Sequence, residues 1–217
     1  LPRRAAAHRL GRLIFRALMQ ATRVILIRHG QTLWNTQTRI QGHTDIALDD
    51  TGRWQAQCVG RALIDEGLHR VYSSDLSRAL ETARAISEHT GAALEITPTL
   101  RERGFGSFEG KTFTEIEQHH PDSAQRWRAR DPLFGPPGGE VLQSFYERCV
   151  RAASELASQH PGQCIALVSH GGVLDCLYRA ATGQSLNAPR TWQIGNASIN
   201  RLLHHGQGFS LVGCLLY

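Results

Sequence analysis

Residues 23–27, Arg-Val-Ile-Leu-Ile, set four apolar side chains in succession, and the run ends at once in Arg28, His29 and Gly30. A strand with one face in water alternates polar and apolar residues, whereas an unbroken apolar run must be covered on both faces. That demand points to a buried parallel strand with helices above and below it. A second such run, 164–168, ends in Ser169, His170, Gly171 and Gly172. Further strands are expected at 69–72, 93–97, 198–203 and 209–214. A helix is expected over 52–66, with Trp54, Cys58, Val59, Ala62 and Leu63 on its buried face and Gly67 at its stop. A second runs to Gly91 from an N-cap at Ser74 or Asp75. Helices at 140–158 (carrying Phe145, Cys149, Ala152 and Leu156) and at Val173–Ala181 complete the pattern. Residues 111–136 hold several prolines and only short helical pieces. Strands alternating with helices predict an α/β fold: a three-layer, doubly wound, mostly parallel sheet with helices on both faces.

The net charge of +5 says less than it suggests. Residues 1–18 carry Arg3, Arg4, Arg9, Arg12 and Arg16 and no acid, and the remaining 19 basic residues equal the 19 acidic ones. A neutral body argues against a nucleic-acid partner. The basic head fits a membrane-surface helix or a targeting peptide. The only methionine, Met19, precedes the first strand, which favours 1–18 as a non-native extension and 19–217 as the functional domain. No apolar run reaches the roughly 18 residues of a membrane span. The five cysteines, Cys58, Cys149, Cys164, Cys176 and Cys214, are odd in number and lack a CxxC spacing. Reduced thiols in a cytoplasmic protein are expected. His119-His120 and His204-His205 have no acidic or thiol companions at ligand spacing, so no metal site is expected. The absence of GxxxxGK[ST] disfavours a P-loop nucleotidase.

In doubly wound sheets, ligands bind beyond the carboxyl ends of the strands. There this sequence places Arg28, His29, Arg78, Glu102 and His170. Two guanidinium forks can hold a phosphate dianion bidentately. A protonated His170 would add a third positive donor, and Gly30 and Gly171 would let backbone come close. His29, with one ring nitrogen held by a backbone carbonyl, could attack phosphorus with the other. Alone, each residue has a plainer reading. Arg28 could end a strand at the surface, Arg78 could be a solvated helix arginine, and Glu102 could pair with Arg101 or Arg103. Their joint occurrence weighs for the site.

RHGQTLWN, GHTDIALDDTG, SSDLSRALETA, LRERGFGSFEG, PGGE and VSHGG follow one another in order. With these motifs the chain from about 22 to 214 resembles the histidine phosphatase superfamily, in its branch of cofactor-dependent phosphoglycerate mutases and related phosphatases. The resemblance implies that His29 accepts the phosphoryl group and that Arg28, Arg78 and His170 form the phosphate pocket. Asn35 adds an amide donor, while Thr32, Gln41 and Gly42 line the mouth. Glu102 matches the family acid, which protonates the leaving alkoxide and then activates water. No metal is required. Glu109 and Glu140 are expected as caps or loop anchors.

Mutases of the family carry a longer insertion between the acid and the second histidine. Here Glu102 and His170 are 68 residues apart, which favours a phosphomonoester hydrolase acting on a small phosphorylated metabolite. The alternative is a mutase using 2,3-bisphosphoglycerate, to which Arg126, Arg128 and Arg130 would offer a carboxylate site. A catalytically silent phosphate-binding module is the third reading. Sugar phosphates, phosphoglycerate and α-ribazole phosphate all remain open as substrates, with selectivity expected in residues 103–136. Monomer and homodimer are equally open.

Overall fold

A computed structural model describes residues 20–206 and 208–215 of the chain. The basic head and Met19 lie outside these residues. Six strands form one sheet in the order β3-β2-β4-β1-β5-β6. They are β1 (Thr22–Arg28), β2 (Leu68–Ser73), β3 (Ala93–Ile96), β4 (Cys164–Ser169), β5 (Ile199–His204) and β6 (Phe209–Leu215). β3, β2, β4 and β1 are parallel, and β5 and β6 add an antiparallel edge. The helices are α1 (Leu33–Thr36), α2 (Asp50–Ala62), α3 (Ser77–Thr90), α4 (Phe113–His119), α5 (Pro121–Arg128), α6 (Leu142–Ser158) and α7 (Gly171–Thr182).

The pleat of β1 explains its unbroken apolar run. Ile25 and Ile27 face one side, where Val59 of α2, Leu63 just after it and Ala79, Ala83 and Ile86 of α3 cover them. Val24 and Leu26 face the other, packed with Phe145 and Cys149 of α6 and Val173 and Leu177 of α7. Each such side chain, fully buried, contributes roughly 1.5–3 kcal/mol. The three-layer expectation thus matches the structure. Among the described residues no helix is long and apolar enough to cross a membrane. Cys58, Cys149, Cys164 and Cys176 are free thiols.

Two local expectations are corrected. Helix α2 starts at Asp50 behind the N-cap Asp49, whose Oδ1 accepts from the Gly52 amide at 2.7 Å. Its buried face is Gly52, Ala56, Val59 and Gly60, while Trp54 is 65% exposed and Ala62 is exposed. Glycine decides this. A Cβ on Gly60 would stand 2.7 Å from the Ala85 carbonyl oxygen, so α2 sits against α3 closer than an apolar side chain permits. Gly67, at φ +64°, ends a separate 3-10 turn, Ile64–Glu66. Helix α3 begins at Ser77 with Leu76 at the N-cap, because Ser74 and Asp75 are engaged elsewhere. Asp75 pairs with Arg101 at 2.6 Å, and Ser74 Oγ lies 2.9 Å from His170 Nε2. Gly91 takes the left-handed conformation that closes α3, as expected.

Candidate active site

The carboxyl ends of β1, β2 and β4 enclose a cup. In β1, Arg28 is level with Ser169 of β4, and the His29 amide donates to the Ser169 carbonyl at 2.9 Å. This pairing sets the two histidine segments side by side. The His29 and His170 ring centroids are 5.2 Å apart. Arg78 enters from the first turn of α3, directly after β2.

Backbone carbonyls orient both guanidinium groups. Arg28 Nη1 donates to Ile194 O at 2.7 Å. Arg78 donates through Nη1 to Thr44 O at 2.9 Å and through Nη2 to Gly42 O at 2.7 Å. A carbonyl dipole fixes a guanidinium without cancelling its charge. Burial lowers the pKa of both, that of Arg78 to about 10, so Arg78 stays charged at neutral pH. Arg28 Nε, Arg78 Nε and His170 Nδ1 are buried with no partner from the protein.

His29 is 3% exposed, and its Nδ1 lies 2.7 Å from Gly30 O. A proton donated there leaves the Nε2 lone pair free. Burial, then the charges of Arg28 and Arg78, hold this imidazole well below its ordinary pKa. His170 is held down in the same way by burial, with Arg78 the next cause. Burial and the two neighbouring guanidinium groups thus disfavour the protonated form of His170.

Gly30 has a different task from the one expected. A Cβ there would lie 2.4 Å from Gly52 O, so its missing side chain seats the loop on the start of α2. At Gly171 a Cβ would meet Arg28 Nε at 3.5 Å, an ordinary contact. Gly172 is the sterically demanding position, because a Cβ there would meet Glu102 Oε1 at 2.2 Å. The Glu102 carboxylate lies on the cavity wall, with Oε1 accepting from Arg103 N at 2.9 Å and Oε2 from Gly172 N at 3.0 Å.

Glu109 and Glu140 are loop anchors, as expected. Glu109 accepts from the amides of His43, Thr44 and Phe105 and from Thr44 Oγ1, so it holds the loop whose carbonyls hold Arg78. Burial raises its pKa, but these bonds prevail and the net shift is downward. Glu140 bonds Arg148 and the Gly104 amide.

The cavity holds about 470 Å³, and Arg28, His29, Asn35, Gln41, Gly42, Arg78, Glu102 and Gly171 all line it. Asn35 presents its amide NH₂ there, since its Oδ1 accepts from Thr32 and Asn196. Thr32 is corrected: it is fully buried, caps α1 and does not line the mouth. Residues 103–136 contribute only Phe105 to the wall. Arg126 pairs with Asp131, Arg128 with Glu117 and Arg130 with Asp175, and none of them reaches the cavity. The wall is completed by Trp34, Arg39 and, from the loop after α7, Arg190 and Ile194. The sequence reading missed these, together with Asn196, whose Nδ2 donates to the carbonyls of His29 and Gly30. For Arg190, Ile194 and Asn196 the one available signal was the long irregular stretch between α7 and β5. A separate groove of about 230 Å³, over Trp54, Cys58 and Ala197, carries neither arginine nor histidine. Among the described residues there is no group of three or more side chains suited to a metal ion.

Residues 24–215 match the model of the histidine phosphatase superfamily, branch 1. The chain is 38% identical over 180 residues to phosphoglycerate mutase-like protein 4 of Arabidopsis thaliana, covering 82% of this chain and 77% of that one. It is 34% identical over 185 residues to the metal-independent phosphoserine phosphatase of the same plant, covering 83% and 76%. A mycobacterial glucosyl-3-phosphoglycerate phosphatase solved with VO3 superimposes with a TM-score of 0.79 at 31% identity, covering 88% of this chain and 97% of that one. Fold, cup and sequence agree on the class: a phosphoryl-transfer enzyme with histidines at the sheet's carboxyl rim. The chain belongs to the histidine phosphatase superfamily.

Proposed function

We propose that the protein is a metal-independent phosphomonoester hydrolase working through a phosphohistidine on a small metabolite. The observation that carries this is the set of unpartnered buried nitrogens, Arg28 Nε, Arg78 Nε and His170 Nδ1, at the cup that also holds His29. Buried donors without partners are costly, and an anion of several oxygens removes that cost. The two arginines and the amide of Asn35 bind the phosphoryl oxygens. The neutral His29 attacks phosphorus through Nε2, and the P–O bond to the leaving group breaks. Glu102 gives its proton to the departing alkoxide. As a carboxylate it then takes a proton from water, whose oxygen attacks phosphorus and breaks the P–N bond. His29 is regenerated and phosphate leaves. The developing charge is met by fixed guanidinium groups, which is electrostatic preorganisation. Donation from His170 Nδ1 to a phosphoryl oxygen becomes stronger as negative charge enters the cup.

The mutase alternative rested on the same nucleophile and on Arg126, Arg128 and Arg130, and each of these arginines is paired with a carboxylate away from the cavity. Assay of p-nitrophenyl phosphate with EDTA present tests the reading. Turnover is expected to survive EDTA and to fall roughly 10⁵-fold in His29→Ala. A quenched reaction should carry an acid-labile, alkali-stable phosphoryl label on residue 29. Label elsewhere, or activity that needs a metal, refutes the proposal. Conversion of 3- to 2-phosphoglycerate stimulated by 2,3-bisphosphoglycerate would restore the mutase.

A further inference from the structure

Four arginines line the cavity: Arg28, Arg39, Arg78 and Arg190. Three of them are spoken for. Arg28 and Arg78 are tied to backbone carbonyls inside the cup. Arg39 donates to Gly110 O at 2.6 Å and pairs with Glu115 at 3.4 Å. Arg190 alone is exposed and makes no hydrogen bond or ion pair among the described residues. A solvated arginine on a convex surface needs no explanation, but this one stands on the wall of a cavity that already contains two fixed cations. The only carboxylate on that wall, Glu102, is held by two backbone amides.

The segment bearing Arg190 is anchored. Trp192 stacks on Tyr178 of α7 with ring centroids 4.0 Å apart, and the Arg179 guanidinium lies 4.8 Å over the indole. Arg179 is itself fully buried and bonded to Asp175. Two residues after Trp192, Ile194 supplies the carbonyl that holds Arg28. Arg190 therefore lies two residues before an anchored indole, on the segment that orients a phosphate-binding arginine. Its charge is felt in the cup, where it adds to the lowering of the Arg28 pKa that burial begins.

We propose that Arg190 is a specificity residue that binds a second anionic group of the substrate, so that the preferred substrates are small phosphomonoesters bearing a carboxylate or another phosphate. This rests on the phosphatase reading, because it takes the cup as the seat of the reacting phosphate. A planar fork with free donors suits either group bidentately. A small molecule with its phosphate on His29 and Arg78 would turn its far end toward the open side of the cavity.

Matched substrate pairs test the proposal. 3-Phosphoglycerate is compared with glycerol 3-phosphate, which lacks the carboxylate, and fructose 1,6-bisphosphate with fructose 6-phosphate. The wild type should prefer the doubly anionic member of at least one pair in kcat/KM, and that pair identifies the anion. Arg190→Ala should reduce the preference about 10–100-fold, the worth of a hydrogen bond to a charged group. Arg190→Lys should recover part of it, and Arg190→Glu should lower it further. Equilibrium binding of the same four esters to His29→Ala, with and without Arg190→Ala, gives a readout that needs no turnover. No preference in the wild type, or a preference that Arg190→Ala leaves unmoved in both readouts, overturns the assignment. If all turnover is absent while the binding preference depends on Arg190, the phosphatase reading fails and the Arg190 assignment stands.

Discussion

Two groups of arginines in this protein look alike in the sequence and differ in what holds them. Arg28 and Arg78, in the cup, are oriented by the carbonyls of Ile194, Thr44 and Gly42. Arg126, Arg128 and Arg130, in and after α5, are paired with Asp131, Glu117 and Asp175. The first arrangement preserves positive charge and aims it; the second spends the charge on architecture. Segment 105–134 is built mainly from aromatic contacts. Phe105 and Phe108 stack on Trp127 with centroids 5.0 and 6.0 Å away, and Ile116 and Phe134 fill the space beneath. A cluster of arginines in a sequence is thus no evidence for an anion site until their partners are known.

The comparison can be broken by substitution. Glu102→Gln should show the largest effect, a fall of about 10²–10⁴ in kcat, with phosphate or vanadate binding nearly unchanged. A large loss of binding instead would make Glu102 an architectural residue. Asp175→Ala should leave the cup's chemistry in place but destabilise the protein. It strips the carboxylate from Arg179, which is completely buried, and from Arg130. Removing one partner from such a site costs roughly 3–5 kcal/mol, which thermal or urea unfolding will report.

A smaller effect follows from the two histidines. Both have folded-state pKa values lowered, principally by burial. Below about pH 6.5 the unfolded chain therefore takes up protons that the folded protein refuses. Stability is present in full above that pH and falls as pH drops, by about 1.4 kcal/mol per pH unit for each histidine. Denaturant midpoints measured from pH 7.5 to 5 should show this slope, and His170→Asn should flatten it. A slope that the substitution leaves intact assigns the acid sensitivity to other groups. The smallest change is expected from Arg128→Ala. Its ion pair with Glu117 is 60% and 43% exposed, so the cost should stay under about 1 kcal/mol, with kcat/KM unaltered. An activity loss there would revive a substrate role for this segment.

Much of this was legible beforehand because the signals were local. Apolar runs that end in polar residues located β1 and β4, and the rule that ligands bind at carboxyl strand ends then brought together Arg28, His29, Arg78, Glu102 and His170. What was misread depended on small residues and on partners distant in sequence. The face of α2 was assigned by apolar mass, whereas Gly52 and Gly60 set the contact and left Trp54 outside. Thr32 looked like a cavity residue and is a helix cap, because Asn35 supplies the reciprocal half of its capping box. Of residues 103–136, where selectivity was expected, only Phe105 lines the cavity, while the loop after α7 brings Arg190 and Ile194 to its wall.

The sequence by itself determined the layered sheet and the identity of the groups at its rim, since burial on both faces and the alternation of strands with helices follow from the chain's own pattern; the order of the strands came from the structure. Only the tertiary structure decided which charges remain available. Hydrogen-bond partners more than thirty residues apart, such as Gly42 and Arg78, decide it, and no local pattern encodes whether a guanidinium meets a carbonyl, a carboxylate or open solvent.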